Sequence, residues 1–368
     1  MQKSVVFVLA ILFACATCSL VPTKVGTTSM ASPDGYYLPI LMNGDDAMIP
    51  ICVGNWFSEE PYPIKLDIYT NTGNNWALSQ TLGSSTTSTM AIAISSKNLI
   101  AMSSDIDNEH PVAIDYARDS SNKLIENQRI PMDDVTDDAL GAFHADQFVL
   151  VSGAGKVSEM LRGSSGKFVT GVAGNVPIPN APIAVDILDQ DMITIDTNGT
   201  ITVAVKQSGT WKTSQRLSYP ANFAADRSTS TSGGFGKIVY SAQDQGEGIY
   251  PSWIIFERDG TQLKQTKLAM TASQFTGMSV DSIPALSPRI IDDNTIELAG
   301  SYMYEGASSG MLKVTLTKSG SQWAVKSVDH IGYGASAYIL GAAVDNSGGV
   351  IYCNAAADYS SFSLYRVD

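Results

Sequence analysis

Acids and aromatics gather in five short polar stretches of this chain, WFSEEPYP (56–63), DIDNEHP (105–111), AQDQGEGIYPS (242–252), YMYEGASSG (302–310) and AAADYSS (355–361). Every stretch carries an acid and four carry aromatics. Trp56, Tyr62, Tyr250, Tyr304 and Tyr359 offer planar faces that can stack on sugar rings or clamp a peptide. Glu59, Glu60, Asp105, Asp107, Glu109, Glu247, Glu305 and Asp358 offer oxygens suited to a hard cation or a basic partner. Asp105-x-Asp107-x-Glu109 has the alternation of a calcium ligand set but lacks the glycine of a full calcium loop. No cofactor is expected, and calcium is the one candidate that these residues offer. A carboxylate pair from these stretches could also act as acid and base on a glycosidic bond, which needs a separation of roughly 5–9.5 Å. Asp133, Asp134, Asp137 and Asp138 form a further acidic segment that reads as solvated.

Other reactive constellations are missing. The three histidines, His110, His144 and His330, are scattered, and none has His-Glu-x-x-His spacing. There is no Gly-x-Ser-x-Gly elbow and no phosphate-binding glycine loop. The formal charge of −13 opposes binding to a phosphate backbone, so nucleic acid is not an expected partner.

The elements that would hold these stretches repeat. IKLDIYTNTGNNWALSQTL (64–82) reads as strand, Gly-centred turn and strand, and variants follow at 112–130, 157–172, 200–217, 253–268 and 311–328. Aligning the third strand of each unit on Tyr69, Tyr116, Leu161, Val205, Phe256, Leu316 and Tyr365 gives spacings of 47, 45, 44, 51, 60 and 49. Two short apolar runs precede each motif, so a unit has four strands. A period near fifty with four strands per unit is the signature of a β-propeller. The expected fold is all-β, a seven-bladed propeller of four-stranded antiparallel blades; a six-bladed ring with the weak third unit merged is the alternative. The seventh unit stops at Asp368 without a fourth strand, and the segment around Pro22 to Thr28 is expected to supply it. In this arrangement the five acidic stretches connect second to third strands and emerge on one face, while the Gly-Trp turns emerge on the other. Trp76, Trp211 and Trp323 recur at equivalent places and read as blade packing.

Composition agrees with a turn-rich β protein. Of 368 residues 44% are hydrophobic and 16% charged, and 31 are glycine. At the N-terminus Lys3 and the apolar run 5–14 read as an export signal, too short to span a bilayer, with cleavage after Ala16, Cys18 or Ser19. Leu12-Phe13-Ala14-Cys15 is loosely similar to a lipobox. The expected division is a signal peptide over 1–19 and one propeller domain over 20–368. No later stretch is long and apolar enough for a membrane helix. Cys52 and Cys353 fall in the second strands of the first and last units, which neighbour each other in a closed ring; they form either a disulfide across the closure or two buried thiols. Packed sheets lie ~10 Å apart and bonded Cα atoms about 4.4–6.8 Å apart, so a disulfide there needs locally close blades. Asn198-Gly199-Thr200 is a glycosylation sequon in a tight hairpin.

YTNTGNNWALSQTL (69–82), AVKQSGTWKTSQRL (204–217) and TLTKSGSQWAVKSV (315–328) resemble the outer strand pair of FG-GAP or integrin-α-type propeller repeats. The resemblance implies propeller architecture. It brings no calcium sites, because the full Asp/Asn loop of that family is missing. Tyr69 to Trp76 is also faintly similar to a sialidase Asp-box, with Asn71 where that motif has Asp. The functional expectation is an extracellular, non-catalytic binding or scaffold propeller that engages a glycan or a protein through the acidic, aromatic face. Alternatives are a secreted carbohydrate-active hydrolase or lyase, and a structural component of a surface coat or filament.

Overall fold

The computed structural model describes residues 23–29, 40–43, 46–52, 64–72, 76–82, 87–94, 98–105, 111–131, 140–144, 146–153, 155–218, 230–234, 236–243, 251–260, 262–271, 280–282, 286–304, 308–331, 338–355 and 361–367. Among these residues there is no helix, and the strands form seven antiparallel sheets. Blade 1 is Leu41–Asn43, Asp46–Cys52, Ile64–Asn71 and Trp76–Leu82. Blade 2 is Thr87–Ile94, Asn98–Asp105, Pro111–Arg118 and Leu124–Pro131. Blade 3 is Leu140–His144, Gln147–Val151, Lys156–Arg162 and Phe168–Asn175. Blade 4 is Pro182–Leu188, Asp191–Asp196, Thr200–Gln207 and Thr210–Ser218. Blade 5 is Ser230–Gly234, Lys237–Gln243, Pro251–Asp259 and Gln262–Ala269. In every blade the strands are termed a to d in that order.

Blade 6 departs from the pattern. Its a position is shared by Val280–Ser282 and Ser287–Asp292, followed by Thr295–Tyr304, Ser308–Ser319 and Gln322–Ile331. Between the two short strands Leu286 is fully buried, and its N–H donates to Ser241 Oγ of blade 5 at 3.0 Å. A Cβ at Gly300 would come within 2.4 Å of Leu286 Cδ2, so glycine in strand b makes the room that Leu286 fills. Blade 7 is Tyr338–Val344, Val350–Ala355 and Ser361–Val367, and its d strand is Thr23–Ser29. The N-terminal strand pairs from Thr23↔Arg366 to Ser29↔Ser361, so the expected closure is present, one residue along from the segment the sequence suggested.

Apolar side chains fill the seams between blades, not the interior of single sheets. One cluster joins Val149, Val151 and Val157 of blade 3 to Ile187, Met192 and Trp211 of blade 4. Further clusters join blades 4 and 5, 5 and 6, and 6 and 7. Ala343, Ile351 and Leu364 of blade 7 meet Tyr69 and Trp76 of blade 1, which closes the ring. A strand covered on both faces by neighbouring blades must be apolar throughout. Asp191–Asp196 is accordingly buried at every position. The d strands show one buried residue followed by mostly exposed ones, as in Trp76–Leu82 and Leu124–Pro131.

That leading residue is Trp76, Leu124, Phe168, Trp211, Leu263 or Trp323, each no more than 5% exposed. The three tryptophans therefore pack blades, as their recurrence implied. A β-bulge follows in strand d of several blades. Ser79, Asn127 and Ser214 are each left out of the c–d register. Ser79 Oγ and Ser214 Oγ donate back to the carbonyls of Ile68 and Val203 at 2.9 and 3.2 Å. An extra residue reverses which side of the sheet the next side chain faces. The leading residue thus faces the preceding blade, while the glutamine four positions on faces the following one.

Three glutamines use that reversal. Gln128 accepts from Phe168 N–H at 2.7 Å and donates to Phe168 O at 2.9 Å. Gln215 does the same to Leu263, with both bonds at 3.2 Å. Gln80 accepts from Leu124 N–H at 2.9 Å and donates to the Leu124 carbonyl. One carboxamide thereby satisfies a backbone donor and acceptor of the next blade, where leaving either unpaired would cost about 1–3 kcal/mol.

Candidate functional site

The ends of the blades differ, and their differences follow from strand lengths. Strands b and c pair over seven residue pairs in blades 1, 2 and 5. They pair over ten in blade 6 and six in blade 7. In blades 3 and 4 the ladder holds only five. At about 3.4 Å per residue, the ladders of five blades outrun those of blades 3 and 4 by roughly 3 to 17 Å. Around the ring the long ladders belong to consecutive blades, in the order 5, 6, 7, 1, 2. The b–c end is therefore an arc of five blades with longer hairpins and a low sector, blades 3 and 4, with shorter ones.

Each of the five acidic, aromatic stretches joins strands b and c of a blade in that arc. Asp105 is the last residue of strand b in blade 2, and Tyr304 is the last of strand b in blade 6. The backbone thus places both at the b–c end, Asp105 opposite Thr87 and Tyr304 opposite Ser308. Trp56, Glu59, Glu60, Tyr62, Asp107, Glu109, Glu247, Tyr250, Glu305, Asp358 and Tyr359 lie outside the described residues, as do the side chains of Asp105 and Tyr304. Cys52 and Cys353 stand in the b strands of blades 1 and 7, and their side chains lie outside the described set. Among the described residues no group of three or more His, Cys, Asp or Glu gathers to hold a metal.

Tight turns close the low sector. In blade 4 the fully buried Asp196 organises the turn. Its Oδ1 accepts from the N–H groups of Asn198 and Thr200 at 2.9 and 2.8 Å, and its Oδ2 accepts from Asn180 Nδ2 at 3.1 Å. Gly199 follows with φ of 74°, a left-handed conformation that favours glycine. In blade 3 a turn from Ser152 to Lys156 is held by Ser152 N–H on Lys156 O at 3.0 Å.

The opposite end carries acids of a different kind. Arg118, Arg162, Lys206, Arg258 and Lys318 each pair in register with the leading residue of strand d. Each reaches back across the seam to a carboxylate of the preceding blade. Arg118 meets Asp46, Arg162 meets Asp115 at 3.0 Å, and Lys206 meets Glu159 at 2.7 Å. Arg258 meets Asp191 at 2.6 Å, and Lys318 meets Glu257 at 2.9 Å. Glu257 also accepts from Trp323 Nε1 at 2.9 Å, and Glu159 from Val172 N–H at 2.9 Å. These acids are occupied by partners, so this end is a set of latches. The latches had a sequence signal, a cation just before each c–d turn from blade 2 to blade 6, with Asn71 in its place in blade 1.

One acid stands apart. Asp186, on strand a of blade 4, shares a face with Ala184 and Leu188, which pack towards blade 5. Burial pushes its carboxyl up to about 7, although its Oδ1 accepts from Ile187 N–H at 2.7 Å. A group whose folded value is raised keeps its proton when the unfolded chain has released it, so stability falls as pH rises from about 4 to about 7. Asp186→Asn is expected to match the parent at pH 4 and to exceed it by about 2–4 kcal/mol at pH 8.5. Urea denaturation at the two pH values would measure this. An equal difference at both would refute the assignment.

No protein-family model matches the chain, and no curated protein matches it. Solved structures do. The chain is similar to the β-propeller domain of the Trilobed protease from Pyrococcus furiosus, with 11% identity, 91% of this chain and 95% of that one covered, and a TM-score of 0.51. It is similar to the Pan2 WD40 domain of Neurospora crassa, with 10% identity, coverage of 95% and 96%, and a TM-score of 0.51. A protein from Lactobacillus plantarum gives 11% identity, coverage of 84% and 92%, and a TM-score of 0.50. The Pyrococcus domain is described as having an open velcro topology, whereas here Thr23–Ser29 pairs with Ser361–Val367. These likenesses and the sheet order show that the chain has a β-propeller fold.

Proposed function

We propose that this chain is an extracellular, non-catalytic binding propeller of the FG-GAP-like kind. Residues 1–19 direct export and 20–368 form the propeller. The arc of blades 5, 6, 7, 1 and 2 engages a glycan or a protein. What supports the reading is the coincidence of the arc with the five acidic, aromatic connections. Ligand-contacting residues concentrate on connections held by a rigid scaffold, and aromatic residues dominate such surfaces. Trp56, Tyr62, Tyr250, Tyr304 and Tyr359 supply the stacking faces. The acids from Glu59 to Asp358 supply charge for a basic group, or for calcium at Asp105, Asp107 and Glu109.

The test is binding of the purified protein to a broad glycan panel, with and without a calcium chelator. Saturable binding lost in chelator assigns a calcium-assisted site, and binding that survives assigns aromatic stacking. Trp56→Ala and Tyr250→Ala are each expected to weaken binding by about tenfold or more without changing the melting temperature. Unchanged affinity in both would refute this surface. Absence of any glycan binding would turn the search to proteins that co-purify with the chain.

A further inference from the structure

Asn198-Gly199-Thr200 is the single Asn-x-Ser/Thr sequence in the chain. It forms the tip of the b–c turn of blade 4, inside the low sector of the b–c end. Asn198 is exposed, and its carboxamide meets no hydrogen-bond partner among the described residues, because Asn180 takes the free oxygen of Asp196. The backbone beneath is fixed by the two bonds to Asp196 Oδ1, so the turn presents this side chain outwards without needing it for its own stability. The flanking b–c ladder of blade 4 is among the shortest, which leaves space above the tip that no strand of the same blade occupies.

We propose that Asn198 carries an N-linked oligosaccharide, seated in the gap between the two ends of the arc. The inference rests on the extracellular reading above, since the donor belongs to the eukaryotic secretory compartment. In the transfer, Asn198 Nδ2 bonds to C1 of the sugar of a lipid-linked pyrophosphate oligosaccharide. The bond from C1 to the phosphate oxygen breaks, the pyrophosphate lipid leaves, and one amide proton is released. Thr200 supplies the hydroxyl that such acceptor sequences require. In the folded protein Thr200 opens strand c opposite Ser218, so serine can replace it with little change of packing.

The full chain would be expressed in a eukaryotic cell line, and medium and cell lysate treated with an amidase that removes N-linked glycans. The expected result is an amidase-sensitive mass increment on the parent and on Thr200→Ser, mapped to position 198 by conversion of Asn to Asp. The increment should vanish in Asn198→Gln and Thr200→Ala. Parent protein in the medium without the increment would overturn the proposal and leave export standing. Parent protein confined to the lysate without the increment would overturn both. An increment that persists in Asn198→Gln would overturn the site.

Discussion

Replacing Arg162 by methionine is expected to lower stability by about 3–5 kcal/mol, which is large for one side chain. Asp115 lies with 0% of its side chain exposed, and Arg162 with 12%. The guanidinium spans both carboxylate oxygens, at 3.0 Å to Oδ1 and 3.2 Å to Oδ2. It also sits 4.2 Å from the centroid of Phe168 and donates to the Gly166 carbonyl. With arginine gone, Asn127 Nδ2, at 2.7 Å, would be the remaining hydrogen-bond partner of the buried carboxylate among the described residues. The penalty comes mainly from the stranded carboxylate, so Arg162→Met with Asp115→Leu should recover most of it. Urea denaturation of the two single variants and the double variant measures the coupling. A loss below about 1 kcal/mol for Arg162→Met would show that the latch contributes no more than a surface pair. Arg129 and Glu126, 53% and 40% exposed, are such a pair and serve as the control.

Removing residues 23–29 is expected to have a comparable effect by another route. Without them Ser361–Val367 becomes an edge strand, with unpaired backbone groups where Thr23–Ser29 now pairs. The truncated protein should lose on the order of 3 kcal/mol or more, through net hydrogen-bond terms of roughly 0.5–1.5 kcal/mol each. It should also associate through the exposed edge. Light scattering after gel filtration and a thermal melt would show both effects. A synthetic peptide of residues 23–29 added in excess should restore the monomer. A truncated chain with unchanged midpoint and mass would mean that the seam between blades 7 and 1 holds without its outer strand.

Much of this architecture was readable from residue order because the outer strand pair repeats. Its Gly-centred turn and leading Trp, Leu or Phe recur with enough regularity to set the unit and place the tryptophans in the seams. The third unit read weakly because His144 and Gln147 end one strand and begin the next, with almost nothing between them to mark a turn. The divided a position of blade 6 was hidden for a different reason. It depends on Leu286 meeting Gly300, a contact between residues whose spacing carries no period. The glutamine clamps were missed because strict alternation assigns Trp76 and Gln80 to the same side, and the bulge at Ser79 is what separates them. The latches escaped notice because the acids sit on one blade and their cations on the next, 47 to 72 residues on. The acidic, aromatic connections were visible as composition, and the strand ladders added that they belong to consecutive blades.

In the three seams that have it, the clamp gives the blades a front and a back that differ chemically. A glutamine leaves one side, and a backbone N–H and C=O wait on the other, so two copies of one blade meeting front to front satisfy neither set. The seam is heterologous in the sense used for subunit contacts: each junction points the same way round. Such a contact does not limit itself to two members. It continues until rotation brings the last member to the first, and where it fails to close it continues as a filament. Confinement to a single chain, with the first strand held against the last blade, therefore sets where the series stops.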